Sequence, residues 1–228
     1  MRLLKSSLAL FAGLGLGAAT ARAAPVSVIE LFTSQGCSSC PPANDNVRAL
    51  ANRPDVIALS FGVTYWDQLG WKDTFAQPVF TARQYAYARS LGHSGPFTPE
   101  VVVDGRADVV GARRGEIEAL AARTRLAGGP SIAIHGNQVA LGAAPAPGQP
   151  ADVWLVRYDP RLIEVPVRAG ENEGRTLPHK NVVRSLVRLG AWSGRAETFA
   201  APPAPAGLVT VVLVQTPRAG PILSAAKA

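Results

Sequence analysis

The sequence predicts an α/β fold built on one mixed sheet with helices on both faces, followed by a β-rich C-terminal region. Three observations predict it. Short apolar runs at 26–32, 56–61 and 100–103 read as buried strands. Segments with helical spacing alternate with them, starting near Ala43, Pro78 and Arg114. From 131 onward the pattern changes to short apolar runs punctuated by Gly, Pro and Asn.

Residues 1–23 stand apart from the fold. Arg2 and Lys5 precede an apolar stretch from Leu8 to Ala19, and Ala21-Arg22-Ala23 closes it with small residues. This is the pattern of a secretory signal peptide cleaved after Ala23. The apolar run is too short to span a bilayer as a stable helix. The expectation is a periplasmic or secreted protein with no stable membrane insertion after processing. Without Arg2, Lys5 and Arg22 the chain has 20 basic against 16 acidic residues. They are scattered, with Arg113-Arg114 the only adjacent basic pair, which argues against a nucleic-acid partner.

The first domain is expected over 24–129. Its opening strand, 26–32, leads into Cys37-Ser38-Ser39-Cys40, which holds both cysteines of the chain. Pro41-Pro42 and the helical run 43–51 follow, then the strand 56–61. The loop 62–71 carries Tyr65, Trp66 and Trp71, either lining a groove beside Cys37 or packing as core. A helix spans 78–91 and stops at Gly92. Pro96-Phe97-Thr98-Pro99 introduces the strand 100–103, Asp104-Gly105 turns it, and 107–111 returns. A helix from Arg114 to Leu126 ends at Gly128-Gly129.

The β-rich region is expected over 130–228. Ser131–His135 and Gln138–Leu141 flank Gly136-Asn137, a two-residue hairpin signal. Further strands are read at 153–158, 163–168 and 208–215, with a linker-like loop at 202–205. The polar, glycine-bearing segment 170–180 either approaches the cysteines or a partner, or is a solvated loop.

A Cys-x-x-Cys at a helix start has a chemical reason. The helix N-terminus carries partial positive charge and free N–H groups, which favour a thiolate. Cys37 is expected just outside the helix, open to attack, and Cys40 one turn in, shielded. A closed zinc site needs four ligands, and His93, His135 and His179 are scattered; no metal or cofactor is expected. A disulfide across so short a loop adds little chain entropy. Redox chemistry is therefore the reading of this pair.

The order strand, helix, strand, helix, strand, strand, helix with Cys-x-x-Cys at its first helix resembles the thioredoxin superfamily. The run from Val28 to Pro42 resembles more narrowly DUF1223, a family of exported thioredoxin-like proteins of unknown function. So do Tyr65-Trp66-Asp67, 69–73, Thr98-Pro99, Glu171-Asn172, 174–177 and 181–184. The resemblance implies that Cys37 is the nucleophile and Cys40 the resolving thiol. It also implies that Pro99 is in cis and turns Thr98 toward Cys37, to meet a bound peptide. Glu30, seven positions before Cys37, resembles the buried acid that assists proton transfer in thioredoxins, which lies in the same strand one position nearer the cysteine, with Gly36 as the inserted residue; the other reading is a structural acid satisfied by hydrogen bonds. The chain departs from the family pattern at Gly62, Thr64 and Asn44, where relatives have His, Asp and Asp. The implied function is thiol–disulfide exchange with protein thiols or disulfides, including those of a redox partner protein. The alternative is a non-enzymatic binding module that presents the Trp66–Trp71 loop.

Overall fold

The computed structural model describes residues 26–124, 126 and 128–228. The signal-peptide reading and its cleavage point lie outside the described residues. The chain runs β1 (Ser27–Thr33), α1 (Pro41–Leu50), β2 (Val56–Gly62), α2 (Pro78–Ser90), β3 (Glu100–Val103), β4 (Ala107–Val110) and α3 (Arg114–Thr124). Nine strands follow: β5 (Ile132–His135), β6 (Gln138–Leu141), β7 (Ala151–Asp159), β8 (Ile163–Pro166), β9 (Thr176–His179), β10 (Val182–Trp192), β11 (Glu197–Ala200), β12 (Val209–Gln215) and β13 (Ile222–Lys227). A single turn of 3₁₀ helix, Asp67–Leu69, interrupts the loop before α2.

Eight strands form one mixed sheet in the order β13-β12-β7-β10-β2-β1-β3-β4. β1 and β2 are parallel and β1 and β3 antiparallel. The two halves of the chain meet where β10 pairs parallel to β2, at Val182 opposite Ser60. The late strands thus extend the sheet that the early strands begin. Smaller sheets, β11-β6-β5 and β8-β9, stand beside it.

Alternation along β1 sorts the layers. Val28 and Phe32 join a core with Phe80 and Tyr87 of α2, and that core continues to Val211 and Leu213 of β12. Ile29 and Leu31 pack with Val47 and Leu50 of α1 and Ile117 of α3. Helices therefore cover both faces, as the period-2 pattern requires of a sheet buried on both sides. A third core joins Val139 and Phe199 of the three-stranded sheet to Val153 and Val212 of the large one.

Several details differ from the sequence reading, among them the ends of two helices and the strand β10. α1 starts at Pro41, so Cys40 is its N-cap rather than a residue of its first turn. Two prolines can open a helix because the first N–H groups have no intrahelical acceptor. α3 is described to Thr124, and Leu126 lies outside it, its N–H bonding Val26 O at 3.1 Å. β10 carries no clean strand pattern, because register shifts at 183/185 and 188/190 break its alternation.

Candidate functional site

The site grows from the loop between β1 and α1. Asp73 accepts the Gln35 N–H at 2.7 Å and the Phe75 N–H at 2.7 Å, pinning the loop to the aromatic segment. Trp71 Nε1 donates to Gln35 Oε1 at 2.9 Å. The Gly36 N–H bonds Ser34 Oγ at 3.1 Å, and the Cys37 N–H bonds Ser34 O at 3.2 Å. The Cys40 N–H then reaches Cys37 O at 3.2 Å, and Cys40 O accepts from Ala43 and Asn44 as the helix begins. Both cysteines are free thiols.

Three side chains and the Ser39 backbone N–H surround the Cys37 sulfur. The Cys40 thiol hydrogen-bonds to it, and Ser39 Oγ is 3.3 Å away. Thr98 Oγ1 donates to it at 3.4 Å. Trp66 Nε1 in turn donates to Thr98 Oγ1 at 2.8 Å. An indole N–H can only donate, so the Thr98 hydroxyl is left to turn its own hydrogen to the sulfur. The Thr98–Pro99 peptide is cis.

These donors favour the thiolate. The Cys40 hydrogen bond first, then Ser39 and Thr98, outweigh burial and bring the Cys37 thiol down to about 6. Burial, reinforced by the charge on Cys37, pushes Cys40 well up. One thiol is thus poised to ionise and its neighbour to stay protonated.

The structure brings Cys37, Cys40 and Thr98 together, with Pro99 next in the chain. It places Glu30 elsewhere. The Glu30 carboxylate is fully buried and receives Arg83 Nε at 2.7 Å and Nη2 at 3.0 Å, with the Tyr87 hydroxyl on its second oxygen. This is the arrangement of a structural acid. Its hydrogen bonds go to α2 and none to the cysteine loop.

Access is a second difference from the sequence reading. Cys37 is 0% exposed, although Ser38 and Ser39 beside it are open. The turn between β8 and β9 docks on this loop and caps the Cys37 carbonyl. Glu171 Oε2 accepts the Ser38 N–H at 2.9 Å and the Ser38 hydroxyl at 2.7 Å. Asn172 Nδ2 donates to Gln35 O at 3.0 Å and Cys37 O at 2.8 Å. Composition alone could not separate this turn from a solvated loop; only its long-range docking distinguishes it.

The aromatic segment serves the site, with both indole N–H groups turned inward. Glu100, a residue the sequence reading passed over, is almost fully buried and receives Gln84 Nε2 at 2.6 Å. Its Oε1 has no partner, and burial raises its carboxyl to about 7. At Gly62 a Cβ would meet Ala76 N at 2.8 Å, so this backbone leaves no room for a side chain there. Asn44 accepts the Thr33 hydroxyl at 3.1 Å, while its Nδ2 is unpartnered. His179 is buried with Nε2 unpartnered, and burial brings it down to about 4. Among the described residues no three His, Cys, Asp or Glu side chains group as metal ligands.

The family model described as "protein of unknown function (DUF1223)" matches residues 28–215. The chain belongs to the DUF1223 family. This DUF1223 protein is similar to protein AGR_C_4864 from Agrobacterium tumefaciens, known from its X-ray crystal structure. The two are 32% identical with a TM-score of 0.74, over 90% of this chain and 94% of that one. HBP35 of Porphyromonas gingivalis shares the fold at 14% identity and a TM-score of 0.57, over 90% of this chain and 74% of that one. Among curated proteins none matches this DUF1223 chain.

Proposed function

We propose that this protein is an exported thiol–disulfide oxidoreductase with a thioredoxin-like arrangement, working through Cys37 and Cys40. The observation that carries the reading is the split between the two thiols. Cys37 is held near 6 and Cys40 is held high, at the start of a helix and under the Thr98 hydroxyl. The element order from β1 to α3 and the cis peptide before Pro99 support the fold assignment.

The steps balance as follows. The Cys37 thiolate attacks one sulfur of a partner disulfide. The partner S–S bond breaks, and the leaving thiolate takes a proton from water. Cys40 gives up its proton and attacks the Cys37 sulfur of the mixed disulfide. The second partner thiol leaves, and two electrons have passed to the partner. Run backwards, the Cys37–Cys40 disulfide oxidises a partner dithiol. Stabilising the Cys37 thiolate favours the reduced pair and moves its potential in the oxidising direction. The binding-module reading is weaker, because the Trp66 and Trp71 N–H groups are engaged inside the protein.

The test is a trapping experiment with a model disulfide peptide. Cys40→Ser is expected to accumulate a mixed disulfide at Cys37, and Cys37→Ser to form none. A Cys40→Ser protein that stays unmodified after Cys37 has been shown to react with a small alkylating agent would overturn the proposal.

A further inference from the structure

The proposed chemistry requires a partner sulfur to approach Cys37 in line, yet no part of Cys37 meets solvent. The Cys37 carbonyl and the neighbouring Ser38 are held from far along the chain. The turn 167–175 closes the β8–β9 hairpin, and its Glu171 and Asn172 hold the loop 35–38 through four hydrogen bonds. Asn172 is itself fully buried, and Arg175 Nη1 fixes its Oδ1 at 2.7 Å.

How these bonds are made matters. Within the turn, the Val167 N–H bonds Arg175 O at 2.9 Å and the Gly174 N–H bonds Val167 O at 3.0 Å. The Glu173 N–H bonds Gly170 O at 3.1 Å, and the Arg175 N–H bonds Asn172 O at 3.1 Å. Gly170 and Gly174, each at φ +78°, supply the left-handed conformations that close it. The turn is thus tied together by its own backbone. On its side, all the hydrogen bonds to the cysteine loop come from two side chains. It can leave as a unit without breaking any of its internal backbone bonds. Its neighbour on the other flank is Trp71, whose Cβ would lie 3.3 Å from a Cβ at Gly170.

We infer that the 167–175 turn is a gate over Cys37, latched by Glu171 and Asn172, and that a partner sulfur reaches Cys37 only when the latch opens. The inference gives the regulation of the site proposed above and takes its meaning from that reading. Its test does not, because alkylation reports access whether or not the protein exchanges disulfides.

The experiment labels the reduced full chain at pH 8 with iodoacetamide and with a bulky maleimide. Wild type, Glu171→Gln and Asn172→Ala are compared, and labelled Cys37 and Cys40 are counted separately by peptide mapping. In wild type, Cys37 is expected to label at least tenfold more slowly than a free thiol of the same pKa, and more slowly still with the bulky reagent. Both substitutions are expected to speed Cys37 labelling about tenfold or more, with the inflection pH of the rate unchanged and Cys40 still protected. Unlatched rates equal to wild type would overturn the gate. So would Cys37 and Cys40 labelling together, which marks global unfolding rather than a local opening. Should a variant fail to fold, amide hydrogen exchange on wild type decides. The Ser38 N–H, bonded only to the latch, is expected to exchange well before the Cys40 N–H; equal exchange would overturn the gate. A variant that labels quickly at Cys37 yet forms no mixed disulfide would overturn the functional reading and leave the gate standing.

Discussion

Glu30 and Cys37 lie in one short stretch of chain, and both are fully buried, but their surroundings differ in kind. Glu30 meets a permanent opposite charge. Arg83 grips both its oxygens and also reaches the Tyr87 hydroxyl at 2.9 Å and Gln215 Oε1 at 3.1 Å. The guanidinium is further boxed by the Tyr87 and Trp154 rings, at 5.0 and 5.6 Å. Among the described residues no cation sits beside Cys37; its donors are a thiol, two hydroxyls and the Ser39 backbone N–H. The comparison teaches that burial alone does not mark a reactive group. A buried charge locked to its opposite is structural; a buried thiol with neutral donors can change its ionisation and its covalent state.

The largest effect is expected from removing Arg83. Arg83→Leu leaves the Glu30 carboxylate buried without its cation. Breaking such a pair costs about 3–5 kcal/mol, to be read from urea unfolding of the reduced protein. Replacing both partners, Glu30→Leu with Arg83→Leu, is expected to recover most of that loss, because no uncompensated charge then remains. The inflection pH of Cys37 alkylation is expected to hold near 6 in the folded double variant. A double variant as unstable as the single, or an inflection moved by a whole unit, would show that the two clusters act as one.

The same contrast explains what the sequence made legible. The first seven elements could be read in order, because apolar runs of period 2 alternate with helical periods and Gly or Pro marks the breaks. The pair Cys37 and Cys40 was legible from its spacing at a helix start, and the Thr98-Pro99 step through its family resemblance. Glu30 was visible as an acid in an apolar strand, but its partner Arg83 sits 53 residues away on α2. No local pattern announces such a pair. Glu171 and Asn172 are farther still, 133 and 135 residues from the loop residues they hold. Likewise β13, whose single β-branched residue is Ile222, is a strand because β12 gives it a partner.

A smaller effect is expected from pH. Cys37 is depressed in the folded reduced state, from the ~8.5 of a free thiol to about 6. Its stabilising contribution is therefore complete above ~8.5 and is lost as pH falls through about 6. Glu100 has the opposite sign. It is raised to about 7 by burial, with Asp108 and Glu30 adding to the shift and Gln84 and His93 opposing it. Its contribution is complete below the ~4.3 of a free carboxyl and is lost as pH rises through about 7. Stability measured against pH for Cys37→Ser and Glu100→Gln should thus differ from wild type in opposite directions. The Cys37→Ser deficit should grow from pH 6 to 8.5 and the Glu100→Gln advantage from pH 4.3 to 7. Neither difference should change with pH faster than the one-proton slope of about 1.4 kcal/mol per pH unit. Differences of the same sign would mean that the two groups titrate otherwise than their surroundings require.

The smallest expected effect comes from a pair with the chemistry of Arg83 and Glu30 but none of their burial. Arg114 Nε lies 3.0 Å from Glu118 Oε1 on α3, with side chains 51% and 38% exposed. Water screens both charges, so the pair contributes roughly 0.3–0.5 kcal/mol at most. Arg114 is also the first residue of α3, where a positive charge opposes the helix dipole. Arg114→Ala removes a weak attraction and a weak repulsion together, and Ala is at least as good a helix former as Arg. The unfolding midpoint is therefore expected to stay within about 0.5 kcal/mol of wild type. Adding about 1 M salt shortens the screening length to roughly 3 Å and should erase what difference there is. The same salt should leave the cost of Arg83→Leu almost intact, since that pair is beyond the reach of counterions. A loss above about 1 kcal/mol for Arg114→Ala, or a salt dependence as large for Arg83→Leu, would show that burial is not what separates the two pairs.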